Sequence, residues 1–256
     1  MSEQAAVRTL LLATSFPPAV GGMETLLYQT ARRLAEPPLV VAPASIAARD
    51  IHVWTVQPGV AARGGYRLGW WAHPSLWYLA AWLPAAVRAA RQWQPRVVQV
   101  GHVHLAPLGW LLARRLRIPW LIYAYGQEVW RGGARMGRRP LDKALRGRAL
   151  RQADAVLSPG SFTSGLLAEW GVRTERVVCV PYGAEPRPPS PPPTGNTVLS
   201  VSRLVPRKGV DTVIRALPRL PNVRYRVVGS GPEQARLRRL ADSSGVADRV
   251  AFLGRV

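Results

Sequence analysis

Arg203 and Lys208 are the residues whose types and spacing say most about chemistry. They bracket the segment Arg203-Leu204-Val205-Pro206-Arg207-Lys208-Gly209, which follows the apolar run Thr197–Val201. Two fixed cations at the carboxyl end of a strand would grip a diphosphate and stabilise it as a leaving group. A solvated basic loop is the plainer alternative in so arginine-rich a chain. Lysine, however, is rare here. Of 35 lysines and arginines only Lys143 and Lys208 are lysine, and Lys208 stands directly before Gly209 at a helix start.

Two glycine-bearing turns have the same strand–turn–helix setting. In Pro17-Pro18-Ala19-Val20-Gly21-Gly22-Met23-Glu24, Gly21 and Gly22 would let backbone approach a ligand, and the following helix would offer free N–H groups to phosphate oxygens. A simple turn is the competing reading. Gly229-Ser230-Gly231-Pro232-Glu233 resembles half of a dinucleotide fingerprint, but Gln234 stands where a third glycine belongs. Its simplest use is a tight turn with Pro232 at the first helical position. His102 and His104 follow a further strand. They either face a cleft or serve as ordinary polar loop residues. No metal-ligand spacing is visible. Cys179 is the sole cysteine, which leaves no intramolecular disulfide and fits a reducing cytoplasm.

These residues need a scaffold, and the hydrophobic pattern supplies one. Strands are expected at 9–14, 39–42, 51–56, 96–100, 120–124, 155–158 and 176–180. Helices are expected at 22–35, 75–93 with Pro84 as a kink, 107–116, 141–151 and 161–170, the last capped by the Ser161 hydroxyl. The proline-rich run Pro186–Pro193 reads as an extended spacer. After it come strands at 197–201, 223–228 and 249–253, with helices at 210–217 and 233–241. Strands alternating with helices imply α/β architecture with parallel sheets. The organisation read from this is a first Rossmann-like domain over 1–185, a linker over 186–195, and a partial second domain over 196–256.

In order and approximate spacing, the chain resembles glycosyltransferase family 4, the retaining GT-B enzymes. The resemblance rests on Gly21-Gly22-Met23-Glu24, Tyr125-Gly126-Gln127-Glu128-Val129-Trp130, Val180-Pro181-Tyr182-Gly183, Ser202-Arg203-Leu204 with Arg207-Lys208-Gly209, Val228-Gly229-Ser230-Gly231-Pro232, and Phe252-Leu253-Gly254. It implies a nucleotide-diphosphate sugar as donor, no metal or other cofactor, and an acceptor that is a glycan, a lipid-linked sugar or a small molecule. Arg203 and Lys208 match the family's diphosphate-binding pair. Gly21 and Gly22 match a donor-phosphate contact from the first domain, with Gly229, Gly231 and Gly254 on the donor side. Glu24, His102, His104 and Glu128 are candidates for the cleft or acceptor side. Tyr125 stands where many members have a histidine near the reacting carbon. A phenol can hydrogen-bond there but cannot accept a proton near neutral pH as imidazole does. The resemblance also places the family's acidic pair beyond Val256, so the chain reads as C-terminally truncated. An inactive fragment, or a binding module keeping only the acceptor domain and part of the donor site, is the alternative function.

The net charge is +21. It suits phosphates, nucleic acid or an acidic membrane surface. Nucleic acid is disfavoured, because no recognisable module or basic segment with interleaved aromatics is present. Trp70, Trp71, Trp77, Tyr78 and Trp82 cluster between Arg67 and Arg88, a composition that suits an anionic bilayer interface or, equally, a packed core. The Met1–Arg8 segment lacks a signal pattern, so a cytoplasmic protein is expected, with membrane association on the cytoplasmic face as an addition.

Overall fold

The computed structural model describes residues 6–17, 21–43, 51–56, 74–130, 140–184, 186, 188 and 195–255. Trp70, Trp71, the side chains of Trp77 and Tyr78, and most of the proline-rich spacer lie outside them. The chain divides into two compact units, Met1–Ala184 and Glu185–Val256.

The first unit is built on seven parallel strands: β1 (Thr9–Leu12), β2 (Leu39–Pro43), β3 (Val53–Val56), β4 (Val97–Val100), β5 (Trp120–Tyr123), β6 (Ala155–Ser158) and β7 (Val177–Cys179). Their spatial order is β3-β2-β1-β4-β5-β6-β7, so the order reverses between β1 and β4. The helices are α1 (Gly22–Ala31), α2 (Pro74–Trp93), α3 (Ala106–Leu116), α4 (Pro140–Gln152) and α5 (Ser161–Glu169).

The strand residues alternate between two cores, as a period of two requires. Leu10, Leu12 and Val41 enter the large cluster under α2, α3 and α4. Leu11, Ala13, Val40 and Ala42 face Leu27 and Ala31 of α1. Burial on both faces explains why the strands read as unbroken apolar runs. Two tryptophans lock this frame through their indole N–H groups: Trp93 donates to the Thr9 carbonyl at 2.9 Å and Trp170 to the Val129 carbonyl at 2.7 Å.

Trp82, for which core and bilayer interface were equal alternatives, is fully buried in the large core. Two sequence expectations are corrected here. Ser161 is the first residue of α5, not its cap; the cap position is Gly160. Ser158 and Ser164 organise that helix start instead, with Ser164 Oγ donating to Ser158 Oγ at 3.0 Å. Pro232 is not the first helical residue, because the helix after it opens at Gln234 with Glu233 as cap.

The second unit has β8 (Thr197–Val201), β9 (Arg224–Val228) and β10 (Val250–Gly254), parallel in the order β10-β9-β8, with helices α6 (Val210–Ala216) and α7 (Gln234–Ser243). One sheet face packs Tyr225, Val227 and Val250 against Ile214 and Leu237. The other leaves Leu199 59% and Val201 70% exposed on the edge strand β8.

Candidate functional site

In the first unit the candidate residues gather at the carboxyl ends of β1, β4 and β5. This is where the strand order reverses and where open α/β sheets hold ligands. The Gly101 N–H donates to the Leu12 carbonyl at 2.8 Å, and the Thr14 N–H donates to His102 Nδ1 at 3.3 Å. A ring nitrogen that accepts carries no proton, so His102 is the neutral tautomer protonated on Nε2. Burial lowers its pKa to about 4; the nearby Glu24 opposes this and His104 adds to it.

The His102 ring lies 6.0 Å from the Tyr125 ring, which stacks on Tyr123 at 6.5 Å. Tyr123 in turn donates to Gln99 Oε1 at 3.1 Å. The Tyr125 hydroxyl is buried and meets no protein partner. Burial first, then Tyr123 and Glu128, hold that phenol firmly protonated. It is a hydrogen-bond donor awaiting an acceptor.

Gly126 adopts φ +110°, a left-handed conformation that turns the chain back after Tyr125. The turn brings Glu128 Oε1 onto the Tyr125 N–H at 2.9 Å. Burial raises the Glu128 pKa, against two backbone hydrogen bonds and Arg146. Burial, and then Glu128, raise the phenol pKa of Tyr182, past β7.

Glu24 sits in the first turn of α1, with its carboxylate folded over Gly21, where a Cβ would collide with it. Gly22 differs. A Cβ there meets nothing within 4 Å, and the α1 cap supplies no side-chain hydrogen bond to the helix start. The structure therefore brings Gly21, Gly22, Glu24, His102, Tyr125 and Glu128 to one edge.

His104 is drawn elsewhere. Its Nδ1 lies 3.4 Å from an Arg146 guanidinium nitrogen, and Arg146 pairs with Asp142 at 2.5 Å. Burial and then Arg146 lower the His104 pKa to about 4. Asp142 is 1% exposed and Arg146 4%. The sequence reading missed this buried pair. An acid four residues before an arginine on a helix usually marks a solvated face. Here α4 turns that face toward the 3₁₀ turn Val103–Leu105.

In the second unit, Arg203 leaves the end of β8 and Lys208 closes the 3₁₀ turn Pro206–Lys208, just before Gly209 at φ +64° opens α6. The loop is held by backbone. The Leu204 N–H donates to the Ser230 carbonyl at 3.0 Å, the Glu233 N–H returns to the Leu204 carbonyl at 3.2 Å, and the Gly229 N–H reaches the Gly254 carbonyl at 2.6 Å. A Cβ on Gly229 would strike the Ser202 carbonyl, and one on Gly231 would strike the Leu204 backbone. The glycines that looked like ligand contacts thus have a packing reason: they let three strand ends interlock.

The profile of Glycosyltransferase Family 4 matches residues 20–187, and that of Glycosyl transferases group 1 matches residues 184–256. The chain belongs to glycosyltransferase family 4. It is 31% identical to a GDP-mannose-dependent α-(1-6)-phosphatidylinositol monomannoside mannosyltransferase of Mycobacterium tuberculosis, an alignment covering 97% of this chain and 68% of that protein. The Mycolicibacterium smegmatis protein of the same description is 30% identical, with 95% and 66% covered.

Among solved structures, this glycosyltransferase is similar in fold to sucrose-phosphate synthase from Thermosynechococcus elongatus, with TM-score 0.77, 18% identity, and 98% and 71% of the two chains covered. It is similar also to Anabaena HepE in complex with UDP-glucose, with TM-score 0.73, 19% identity, and 98% and 69% covered. The fold is of the GT-B type, with a parallel sheet in each unit.

Proposed function

We propose that this glycosyltransferase takes a sugar from a nucleotide-diphosphate donor and joins it, with retention at the anomeric carbon, to a hydroxyl of a lipid-linked or glycan acceptor. The observation that carries this reading is the placement of Arg203 and Lys208 on one backbone-pinned loop at the carboxyl end of β8. In the reaction the bond from the anomeric carbon to the β-phosphate oxygen breaks, the acceptor oxygen bonds to that carbon, and the diphosphate leaves with the electron pair. The guanidinium and ammonium neutralise the charge that grows there.

The first unit supplies donors rather than a base from its aromatic residues. Nδ1 of His102 is occupied by the Thr14 N–H, leaving Nε2–H to donate, and the Tyr125 phenol stays protonated. Both suit hydroxyl or phosphate oxygens of a bound substrate. The proton of the acceptor hydroxyl then goes to the departing diphosphate oxygen, which becomes basic as the bond breaks. Gly22 and the open first turn of α1 suit a phosphate oxygen.

GDP-mannose is the first donor to try, because the mycobacterial relatives are named for it. Isothermal titration with GDP-mannose, UDP-glucose and the free diphosphates tests the donor side. Micromolar binding of one nucleotide sugar supports the reading; an absence of binding by all favours the acceptor-side binding module. The anomeric coupling constant of the product, measured by NMR, tests retention.

A further inference from the structure

On the outer surface of the first unit, α2 and α3 pack side by side and leave an open groove of about 790 Å³ between them. Its lining has two parts. Leu83, Pro84, Val87 and Leu111 form an apolar floor, and Arg88, Arg91, Arg114 and Arg115 stand along it. All four arginines are exposed, as is Leu111. Among the described residues no carboxylate lines the groove, and neither helix contains an aspartate or glutamate. Helix dipoles favour a cation in each last turn, which accounts for an arginine at either helix end. They do not account for guanidiniums from two helices lining one groove with no carboxylate among its described residues.

Just along α3, Trp110 is flanked by the guanidiniums of Arg114 and Arg148, each 5.4 Å from its ring. The arginine face therefore continues onto α4. Helices in a parallel α/β layer run opposite to the strands, so the last turns of α2 and α3 lie toward the amino edge of the sheet. The groove is accordingly remote from the cluster around His102 and Tyr125.

We propose that this groove is a docking site for an anionic lipid bilayer, with the arginines on lipid phosphates and the apolar floor against glycerol and upper acyl carbons. The pairing of an apolar floor with a cationic rim selects an amphiphile with a negative head. A single-stranded nucleic acid would instead want exposed aromatic faces for its bases, and Trp110 beside the groove is already occupied by two arginines. Of the aromatic stretch only Trp82 has a described side chain, and it is core. Docking at the groove stands independently of which donor or acceptor the enzyme uses.

The test is co-sedimentation of the full chain with phosphatidylcholine vesicles, with and without phosphatidylglycerol, at ~0.15 M salt. The fourfold variant R88Q/R91Q/R114Q/R115Q is compared with R215Q/R219Q/R224Q/R239Q, which removes the same charge from exposed sites on the second unit. Circular dichroism checks that both remain folded. The expected result is binding to anionic vesicles only, weakened on the order of tenfold or more in the groove variant and little changed in the control. In addition, L111S should reduce the fraction that stays bound when salt is raised. Equal losses in both fourfold variants would overturn the proposal, as would failure of the wild-type chain to bind anionic vesicles. Groove-dependent binding to a single-stranded oligonucleotide tighter than to vesicles would overturn it in favour of nucleic acid.

Discussion

The Thr14 backbone N–H donates to His102 Nδ1 across 3.3 Å and joins the loops after β1 and β4 where the strand order reverses. One bond fixes two things at once: the closure of the sheet's working edge, and the tautomer that leaves Nε2–H as a donor.

Asparagine at this position could present its amide oxygen to the Thr14 N–H, whereas alanine could not. His102→Ala is expected to cost about 1–3 kcal/mol by leaving a buried donor unmatched. His102→Asn should retain most of that stability. Urea denaturation of both variants measures the difference, and long-range ¹⁵N NMR of the parent should find Nδ1 unprotonated at neutral pH.

Acid should weaken the first unit. His102 and His104 both have folded-state pKa values near 4, below the ordinary 6.5, chiefly through burial. A histidine whose pKa is depressed by folding binds more protons when unfolded. Its contribution is therefore complete above about pH 6.5 and is lost as pH falls toward 4. Glu128, raised by burial, works in the opposite direction, its contribution fading as pH rises through its raised value. Denaturant midpoints should decline steadily between pH 7 and pH 4.5. With Glu128→Gln removing the opposing contribution, a flat profile would contradict the burial of both rings.

Lys208→Ala should abolish detectable transfer and weaken diphosphate binding by roughly 10–100-fold, the worth of one charge-assisted contact. Lys208→Arg should recover part of the binding, since the charge returns with a different shape. Calorimetric titration with nucleoside diphosphate reads this without needing turnover. Near-normal turnover in Lys208→Ala would remove the lysine from the mechanism.

Two glycines should separate packing from ligand contact. Gly231→Ala places a methyl group on the Leu204 backbone and should cost on the order of 1–3 kcal/mol or more in the second unit. Gly22→Ala meets open space, so its melting temperature should match the parent or rise slightly while donor affinity falls. Loss of stability in Gly22→Ala with unchanged affinity would reverse the roles assigned to these positions.

The alternation of strands and helices was legible because both faces of the large sheet are buried, which writes long apolar runs such as Thr9–Leu12 into the sequence. Element ends shifted by a few residues where caps decided them. Ser161 resembled a cap because serine usually is one, but the chain enters α5 through Gly160 and uses Ser158 and Ser164 instead. Trp82 was ambiguous because tryptophan suits core and interface alike, and only packing against β-strand side chains settles which. Arg203, Lys208, His102, Tyr125 and Glu128 were visible as residues following strands. The reason for Gly229 and Gly231 was not visible. Close backbone approach between Ser202–Leu204 and Gly229–Gly231 is a tertiary event with no local signature. The same holds for Asp142 and Arg146, whose spacing is that of any surface pair.

The uncovered face of the small sheet has a colloidal consequence. Leu199 and Val201 present apolar side chains on the edge strand β8, a surface that favours self-association. A net charge of +21 keeps copies apart while its field reaches beyond the surface. That reach shrinks from about 8 Å at physiological salt to about 3 Å at 1 M. Raising the ionic strength should therefore drive this protein out of the monomer pool rather than protect it, and light scattering across a salt series would trace the crossover.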